Sequence, residues 1–229
     1  MFKILIVEDD PQLNHSVCSF LLLNGYEVAG CLSVNEAYDA MYGQMFDLIV
    51  SDVMMPGIDG FTVCKHIRET NHTLGIIMLS AKSQEMDKVN GLMLGADDYI
   101  TKPFSPSELV ARVDAVYRRV SMSSARQEPE NELRSGPFLL NIRSRSLTRD
   151  GQKIDLTQVE FQLMEHFMRN PNVALDRNSL LTTVWGDSYF GDDKIVDVNV
   201  RRLRMKIEPE PSNPKYLTTV WGFGYKWVE

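Results

Sequence analysis

Short apolar runs alternate with longer amphipathic segments through the first half of the chain. Runs rich in β-forming residues occur near 3–7, 26–31, 47–51, 75–79 and 98–101, and segments with helical periodicity lie between and after them, near 11–24, 34–42, 61–70, 84–94 and 106–120. Strands that alternate with helices in this way are typical of a parallel sheet covered on both faces. The pattern therefore predicts an α/β, doubly wound, five-stranded parallel sheet.

A different pattern begins after a polar stretch in the middle of the chain. Residues 122–135 carry almost no large apolar side chains, which predicts a linker. Beyond it we expect short antiparallel strands over 137–155 with a hairpin turn at Asp150-Gly151, helices near 158–170, 177–184 and 193–207, and a closing hairpin over 216–228. The sequence thus predicts a first domain over 1–121, a linker over 122–135 and an α+β domain over 136–229.

The net charge of −7 is unevenly distributed along the chain. Residues 1–121 hold 9 Lys and Arg against 16 Asp and Glu, whereas residues 122–229 hold 15 of each sign. The second half also concentrates cations, since residues 194–206 contain five Lys and Arg and only one acid. A neutral domain with one basic helix can still place positive charge where a phosphate backbone would lie.

The three cysteines, Cys18, Cys31 and Cys64, lie in apolar surroundings without the spacing of metal ligands. We expect reduced thiols packed in a core, which indicates a cytoplasmic protein. The longest apolar runs have the length of strands and are far short of the roughly 20 residues that a membrane span needs. The first strand begins at residue 3, so we expect no signal peptide.

Five polar side chains follow the predicted strands of the first domain at their carboxyl ends. Glu8 and Asp9 follow the first strand, Asp52 the third, Ser80 the fourth and Lys102 the fifth. If the first and third strands are neighbours, as in the flavodoxin-like order, the three acids converge at one edge of the sheet. Clustered carboxylates are hard to keep ionised without a cation, and Mg²⁺, which prefers oxygen ligands, is the natural partner.

Each of these residues alone also has a simpler explanation. Asp9 or Asp10 would serve as the cap of the first helix, Asp52 as an ordinary polar residue at a strand end, and Lys102 as a solvated surface charge. Acids, a hydroxyl and an amine at four strand ends of one repeat together favour phosphoryl chemistry, in which an aspartate carboxylate is the nucleophile and forms an acyl phosphate.

The motifs around these residues resemble the receiver domain of response regulators through about residue 120. They read Val7-Glu-Asp-Asp10, Ser51-Asp-Val-Met-Met-Pro-Gly57, Leu79-Ser-Ala-Lys82 and Gly95-Ala-Asp-Asp-Tyr-Ile-Thr-Lys-Pro-Phe104. The resemblance implies that Asp52 accepts a phosphoryl group from a sensor histidine kinase. It also implies a Mg²⁺ site made by Asp9, Asp52 and the main-chain carbonyl of Met54, with Glu8 acting through water. It further implies that Ser80 and Tyr99 form a switch pair and that Lys102 binds the phosphate.

The resemblance further suggests that a face of the first domain forms a symmetric homodimer after phosphorylation. That face carries Lys88, Asp97, Asp98, Glu108, Arg112 and Arg119. We expect intermolecular ion pairs there, Lys88 with Glu108 and Asp98 with Arg112. The alternative is that these residues form an ordinary solvated charged surface.

The predicted helix over 193–207 is basic on one side. Its apolar stripe, Val196, Val200, Leu203 and Ile207, is expected to face the core, which leaves Lys194, Arg201, Arg204 and part of Arg202 outward. A B-DNA major groove admits one helix, and arginine can pair there with guanine edges or phosphates. The alternative is an amphipathic helix with a basic solvated face.

The aromatic hairpin that follows this helix favours DNA binding, because a helix followed by a hairpin is the layout of a winged helix. Leu156-Thr-Gln-Val-Glu-Phe-Gln-Leu163, Val196-Asp-Val-Asn-Val-Arg-Arg-Leu-Arg204 and Val220-Trp-Gly-Phe-Gly-Tyr225 resemble the effector domain of OmpR/PhoB regulators. The resemblance makes helix 193–207 the recognition helix, with Arg201 and Arg204 as leading DNA contacts and Lys194, Asn199 and Arg202 as weaker ones. It also implies that the segment 185–192 touches RNA polymerase.

One position departs from that family pattern. Trp221 stands in the wing where some members insert an arginine into the minor groove, and a tryptophan cannot supply that charge. Lys226 and the wing amides are then expected to contact phosphates instead.

The sequence as a whole predicts a two-component response regulator in which phosphorylation of Asp52 promotes dimerisation and sequence-specific binding of double-stranded DNA. We expect no enzyme beyond its own phosphoryl transfer and dephosphorylation. One alternative is a constitutive DNA-binding regulator whose receiver domain serves only for dimerisation. A metal-dependent aspartyl phosphatase is disfavoured, because it would need a second acid–base residue where Met54 stands.

Overall fold

The computed structural model describes residues 2–56, 59–81, 85–121, 132–186, 189 and 192–229, without the side chains of 85 and 118–121. The chain separates into two compact units, Met1–Tyr117 and Arg118–Glu229. Helix α5 of the first unit runs to Ser121, so most of the predicted linker over 122–135 lies outside the described residues.

The first unit is a five-stranded parallel sheet with five helices. The strands are β1 (Lys3–Val7), β2 (Glu27–Cys31), β3 (Leu48–Asp52), β4 (Gly75–Ser80) and β5 (Asp98–Thr101). The helices are α1 (Pro11–Leu23), α2 (Val34–Gly43), α3 (Gly60–Thr70), α4 (Glu85–Met93) and α5 (Pro106–Ser121). The strand order β2-β1-β3-β4-β5 confirms the doubly wound prediction, and it makes β1 and β3 neighbours, with Val7 paired to Ser51.

The sequence sets the burial and the helix starts of this unit. Residues 4–7 of β1 are fully buried because helices cover both faces of the sheet. Helix α1 begins after Asp10, whose carboxylate accepts hydrogen bonds from Gln12 N at 2.8 Å and Leu13 N at 3.2 Å, and Pro11 fills the first helical position. Asp9 is therefore not the residue that caps α1.

The second unit is α+β. Its strands are β6 (Glu132–Ser135), β7 (Phe138–Asn141), β8 (Ser146–Arg149), β9 (Gln152–Ile154), β10 (Ala174–Asp176), β11 (Leu217–Val220) and β12 (Gly224–Trp227). Its helices are α6 (Gln158–Arg169), α7 (Arg177–Trp185) and α8 (Lys194–Ile207). Strands β6 to β9 form an antiparallel meander, and β10-β12-β11 form a second sheet.

Two strands of this unit were not predicted. Strand β6 lies at the end of the predicted linker. It was not recognised there because it is an edge strand whose outward residues are polar and whose pairing comes from β7. Strand β10 has only three residues and pairs with β12 from far along the chain, from Ala174–Lys226 to Asp176–Gly224. Neither strand has an apolar run long enough to be recognised in the sequence.

Helices α6 and α8 pack on each other and carry the core of the second unit. The predicted stripe of α8, Val196, Val200, Leu203 and Ile207, is buried as expected. The hairpin prediction at Asp150-Gly151 is also confirmed, since both residues have left-handed backbone angles, φ 50 and 81. Within the part of the chain that the structure describes, no helix is long and apolar enough to cross a membrane.

Candidate functional sites

Three carboxylates converge at the carboxyl edge of the first sheet. Oxygens of Glu8, Asp9 and Asp52 all lie within 4.8 Å of one another. The convergence follows from strand order, because β1 and β3 are adjacent and both end at this edge. Glu8 and Asp52 are 2% and 5% exposed, whereas Asp9 is open to solvent. An oxygen-only, partly open donor set of this kind fits a hard divalent cation such as Mg²⁺.

Lys102 provides positive charge inside this cluster. Its Nζ donates to Glu8 Oε2 at 2.6 Å and to Asp52 Oδ2 at 2.7 Å, and the peptide bond that follows it, to Pro103, is cis. Burial lowers the pKa of Lys102, but the hydrogen bonds to Asp52 and Glu8 outweigh burial, so the pKa lies above its ordinary value. Burial raises the pKa of Glu8, and Lys102 offsets only part of that rise.

The backbone after β3 holds Asp52 from the other side. Asp52 Oδ1 accepts a hydrogen bond from Met54 N at 2.9 Å. The chain then returns to the site at Gly60, whose N donates to Val53 O at 2.9 Å. A Cβ at Gly60 would lie 2.4 Å from the Asp52 carbonyl oxygen, so a larger residue would push this loop away from the carboxylate.

A buried asparagine that the sequence reasoning missed positions the loop of Glu8. Asn14 on α1 donates through Nδ2 to the carbonyl of Glu8 at 3.2 Å and to that of Cys31 at 2.9 Å. Asn14 is 7% exposed and shares a helix face with Val17 and Leu21. Asn14 could have been recognised in the sequence as a polar residue at a core position of an amphipathic helix.

Ser80 and Tyr99 are brought together as predicted. Ser80 is fully buried at the end of β4, and Tyr99 on the adjacent β5 is 6% exposed and hydrogen-bonded to it. Burial is the main reason that the pKa of Tyr99 is raised. The tyrosine ring therefore already lies inward, beside the strand end that holds the hydroxyl.

One of the two ion pairs expected between subunits, Asp98 with Arg112, forms within one molecule. Arg112 Nη1 donates to both oxygens of Asp98 at 2.9 and 3.0 Å, and Arg112 Nη2 to Glu108 Oε1 at 2.8 Å. Asp97 is 1% exposed and accepts from Arg68 Nη2 at 2.8 Å. Three of the predicted dimer residues, Asp97, Asp98 and Arg112, are thus buried and paired within the molecule, Asp97 with Arg68 of α3 and Asp98 with Arg112 of α5.

The remaining dimer-face residues have different positions. Lys88 is half-buried on α4, and Glu108 is half-buried on α5 at the edge of the pair with Arg112. The side chain of Arg119 lies outside the described residues.

The second candidate site is the outer face of α8. Lys194, Arg201 and Met205 are exposed, and Asp197 and Arg204 are half-buried. Their spacing of three or four residues places them on one side of the helix. The two cationic side chains of this face that are exposed are Lys194 and Arg201.

Asn199 and Arg202 do not belong to that outer face, contrary to the sequence reading. Asn199 is fully buried and donates to Ile195 O at 2.9 Å, and its Oδ1 accepts from Arg202 Nη1 at 3.2 Å. Arg202 is 6% exposed and pairs with Glu160 at 3.1 Å. Helix α8 is buried on more than one side, which a single apolar stripe does not show.

Glu160 fixes α8 against α6. It is fully buried, its Oε2 accepts from Lys206 Nζ at 2.6 Å, and it completes the capping box with Thr157. Burial alone would raise the pKa of Glu160, but Arg202 and Lys206 outweigh it, so the pKa lies below its ordinary value. The capping box has a signal in the sequence, but the ion pairs of Glu160 with α8 do not.

Arg204 joins α8 to the closing hairpin rather than pointing freely outward. Its Nε donates to Leu217 O at 2.8 Å and its Nη2 to Thr219 Oγ1 at 2.9 Å, and the guanidinium carbon lies 5.4 Å from the Tyr225 ring centroid. Burial lowers the pKa of Arg204. These contacts of the guanidinium hold the hairpin against α8.

A second link runs through Asp197. Its Oδ1 accepts from Tyr225 Oη at 2.7 Å and from Arg177 Nε at 2.8 Å, which ties α8 to the hairpin and to the start of α7. Burial, with the hydrogen bond to Asp197, raises the pKa of Tyr225 to about 12. Arg177 therefore lies beside the outer face of α8, although sequence reasoning did not single it out.

Two hairpin residues named from the sequence differ in exposure. Trp221 at the turn is 91% exposed, and Lys226 on β12 is half-buried. Of the segment 185–192 expected to meet RNA polymerase, residues 187, 188, 190 and 191 lie outside the described residues, and Trp185 is buried.

Comparison with protein families assigns both units. The family described as response regulator receiver domain matches residues 4–114. The family described as transcriptional regulatory protein, C terminal, matches residues 151–227. The two matches are consistent with the division into two compact units between residues 117 and 118.

Two of the relatives match this chain over nearly its whole length. The chain is 41% identical over 232 residues to the "Uncharacterized transcriptional regulatory protein YclJ" of Bacillus subtilis (strain 168), covering 99% of each chain. It is similar over its full length to the response regulator DrrB of Thermotoga maritima, an OmpR/PhoB homolog, with 30% identity, 100% coverage of both chains and a TM-score of 0.54. The solved receiver domain of Francisella response regulator 1452 matches 53% of this chain and 100% of its own length, with 35% identity and a TM-score of 0.51.

Proposed function

The chain belongs to the two-component response regulators that join a receiver domain to a transcriptional regulatory domain, and from this premise we propose that Asp52 is the residue through which phosphorylation controls its binding to DNA. The observation that supports this proposal most directly is the position of Lys102, which bridges Asp52 and Glu8 at 2.7 and 2.6 Å. An ammonium held against the acceptor carboxylate is placed to meet the charge that a phosphoryl group brings.

The chemistry of the transfer follows from the groups at the sheet edge. A carboxylate oxygen of Asp52 attacks phosphorus, the bond from phosphorus to the kinase histidine breaks, and an acyl phosphate forms on Asp52. Lys102 then moves its contact from the carboxylate to the new phosphoryl oxygens, and the Ser80 hydroxyl at the next strand end supplies a further donor.

Glu8, Asp9 and Asp52, with the main-chain carbonyl of Met54, would hold Mg²⁺. When bound, the ion neutralises negative charge on the entering phosphoryl group. The chain's own residues account for the remaining requirements: Met54 N and Lys102 orient the Asp52 carboxylate, and Asn14 fixes the loop that carries Glu8.

The transfer is tested by measuring the intact mass of the protein after incubation with acetyl phosphate and Mg²⁺. We expect the mass of a single phosphoryl group, dependent on Mg²⁺ and lost in Asp52→Asn. Asp10→Asn is the matched control, because this exposed acid beside the site caps α1 and asparagine caps equally well. Phosphorylation of Asp52→Asn at the level of the wild type would overturn the assignment.

For the second domain we propose that Lys194 and Arg201 meet DNA from the outer face of α8. Both are exposed, and the links through Arg204 and Asp197 hold the hairpin beside that face. Arg204 and Lys226 are secondary candidates, since both are half-buried. Asn199 and Arg202 are assigned to the structure of the domain instead.

The partners follow from the same domains. We propose a sensor histidine kinase as phosphodonor, double-stranded DNA and RNA polymerase in the cytoplasm, and a homodimer after phosphorylation. Lys88 and Glu108 remain the proposed dimer contacts on the described α4 and α5 faces, whereas Asp98 and Arg112 would have to exchange partners to join them.

A further inference from the structure

Helix α4 contains a glycine on the side that packs against the sheet. Gly91 is buried and lies two residues before the end of the helix at Met93. Glycine within a helix is less favourable than alanine, because it loses more conformational freedom when the chain folds. A buried glycine at such a position therefore indicates that a neighbouring group occupies the space of its missing side chain.

Three side chains fill the space in front of Gly91. A Cβ at this position would lie 3.0 Å from Met78 Sδ, 3.1 Å from Phe61 Cε1 and 3.1 Å from Tyr99 Cδ2. Non-bonded heavy atoms prefer separations of about 3.5–4.0 Å, so even one methyl group would have to displace a neighbour. The absence of a side chain at Gly91 thus allows α4 to pack directly on the Tyr99 ring.

The turn after α4 fixes the position of Gly91 relative to the sheet. Ala96 N donates to Gly91 O at 3.3 Å, and Asp97 N donates to Ile76 O at 2.8 Å. The Asp97 carboxylate also accepts a hydrogen bond from Ile76 N at 2.8 Å, which holds this turn against β4. Because the end of α4 is bonded to the sheet in this way, we expect a side chain at position 91 to displace its neighbours rather than the helix.

The Tyr99 ring is held in its inward position from two sides. Its hydroxyl is hydrogen-bonded to Ser80, and its ring edge lies against Gly91. In the proposed phosphoryl transfer, the Ser80 hydroxyl becomes a donor to the phosphoryl group on Asp52. The contact with Gly91 is then what keeps the ring inward. Lys88 lies on the same helix, three residues before Gly91, so the ring and this proposed dimer contact share α4.

We propose that Gly91 is a positioning residue of the phosphorylation switch. Because it has no side chain, it admits the inward ring of Tyr99 against α4, and this contact couples the tyrosine to the α4 face that carries Lys88. Gly91 acts through Tyr99 and not on the phosphoryl group. The inference deepens the proposed function and rests on it.

Urea unfolding of the full chain, followed by circular dichroism, tests the contact itself. Gly43→Ala is the matched control, because Gly43 ends α2 and a Cβ there would meet no atom of the described chain within 4 Å. This control should raise the midpoint of the receiver transition by about 0.4 M, whereas Gly91→Ala should lower the midpoint. In a Tyr99→Ala background Gly91→Ala should raise it, since the ring no longer fills the space. An equal rise for Gly91→Ala and Gly43→Ala would overturn the proposal, and so would a decrease that Phe61→Ala relieves and Tyr99→Ala does not.

Fluorine NMR of the full chain labelled with 3-fluorotyrosine reports the position of the ring. The resonance that is lost in Tyr99→Phe is assigned to Tyr99. In Gly91→Ala we expect this resonance to move toward the shift that it has in the urea-unfolded chain, because the ring turns toward solvent. In Gly43→Ala it should stay in place. A Tyr99 resonance that is the same in Gly91→Ala and the wild type would contradict the proposed contact.

DNA binding separates this inference from the proposed function. The probe is a duplex recovered with the wild-type full chain from a random double-stranded pool, and each protein is titrated before and after treatment with acetyl phosphate and Mg²⁺, with phosphorylation verified by mass. We expect Gly91→Ala to reduce the gain in affinity on phosphorylation by about threefold or more, and Gly43→Ala to keep it. A full gain in Gly91→Ala would contradict the role of Gly91 and leave control by Asp52 intact. The lack of any gain in the wild type would instead contradict the proposed function, and with it the switch that Gly91 positions.

Discussion

Replacement of Lys102 by methionine tests whether the Lys102 ammonium stabilises the fold by neutralising the negative charge of the carboxylate cluster. The variant keeps the length of the side chain but removes the charge that lies 2.6 Å from Glu8 and 2.7 Å from Asp52. At these distances each attraction is worth about 6 kcal/mol with an effective dielectric constant of about 20, before the cost of burial is subtracted. Loss of one partner from a buried ion pair typically costs about 3–5 kcal/mol. Lys102 is 19% exposed, so we expect about 3 kcal/mol, the lower end of that range.

The assay is urea unfolding of the full chain without divalent ions. All three tryptophans lie in the second unit, so circular dichroism follows both units while tryptophan fluorescence follows the second alone. With a slope of about 2 kcal/mol per molar urea, the receiver transition should move down by roughly 1.5 M. The fluorescence transition serves as an internal control and should stay in place. Lys3→Met is a control lysine, because its pair with Glu27 is at the surface and is worth about 0–1 kcal/mol.

The dependence on pH and on Mg²⁺ sharpens the test. The pKa of Glu8 is already raised by burial, and removal of Lys102 should raise it further. A carboxyl group whose pKa is higher in the folded than in the unfolded state stabilises the fold below the unfolded pKa, and this contribution is lost as the pH rises through the folded pKa. The difference in stability between Lys102→Met and the wild type should therefore grow with pH. Mg²⁺ should restore more stability to the variant than to the wild type. An unchanged receiver transition without Mg²⁺ would refute the reasoning.

Three further predictions concern the second unit. Glu160→Gln should cost about 3–5 kcal/mol in tryptophan-monitored unfolding, since Arg202 loses its buried partner. Because the pKa of Glu160 is lowered, that difference should hold above pH 4.5 and shrink as the pH falls through the folded pKa, and a difference constant with pH would contradict it. Ultraviolet titration should show a tyrosine ionising at about pH 12 that disappears in Tyr225→Phe; stability from its bond to Asp197 should be lost as the pH rises past 10 toward 12. Arg201→Ala should reduce the salt dependence of DNA binding by about one charge, and an unchanged slope would exclude a phosphate contact.

Most of the first unit could be predicted from the sequence, because its strands, its first helix start and its strand-end side chains have local signals. The apolar runs form the strands, an aspartate caps the first helix, and the polar residues lie at the strand ends, as predicted. The strand order then brings Glu8, Asp9 and Asp52 together, and this order is the flavodoxin-like one on which the sequence prediction depended.

Pairings between distant elements were beyond the sequence reasoning. Asp98 and Arg112 were assigned to different subunits, yet β5 and α5 place them in contact within one chain. The two charges can be read from the sequence, but the distance in space between β5 and α5 cannot.

Helix α8 shows the same limit in another form. Its apolar stripe was identified correctly, but Asn199 and Arg202 are also buried, because Glu160 of α6 provides a partner that makes burial of an arginine tolerable. A polar residue next to an apolar stripe is expected to face outward unless another element supplies a partner for it in the core. Only the packing of α6 on α8 decides whether Asn199 and Arg202 are outward or buried.

The central claim, that phosphorylation of Asp52 controls DNA binding, is tested most directly by titrating one selected duplex with the full chain before and after treatment with acetyl phosphate and Mg²⁺. We expect tighter binding after treatment for the wild type and for Asp10→Asn, and no change for Asp52→Asn. Equal affinity of the treated and untreated wild type, with phosphorylation verified by mass, would contradict the claim.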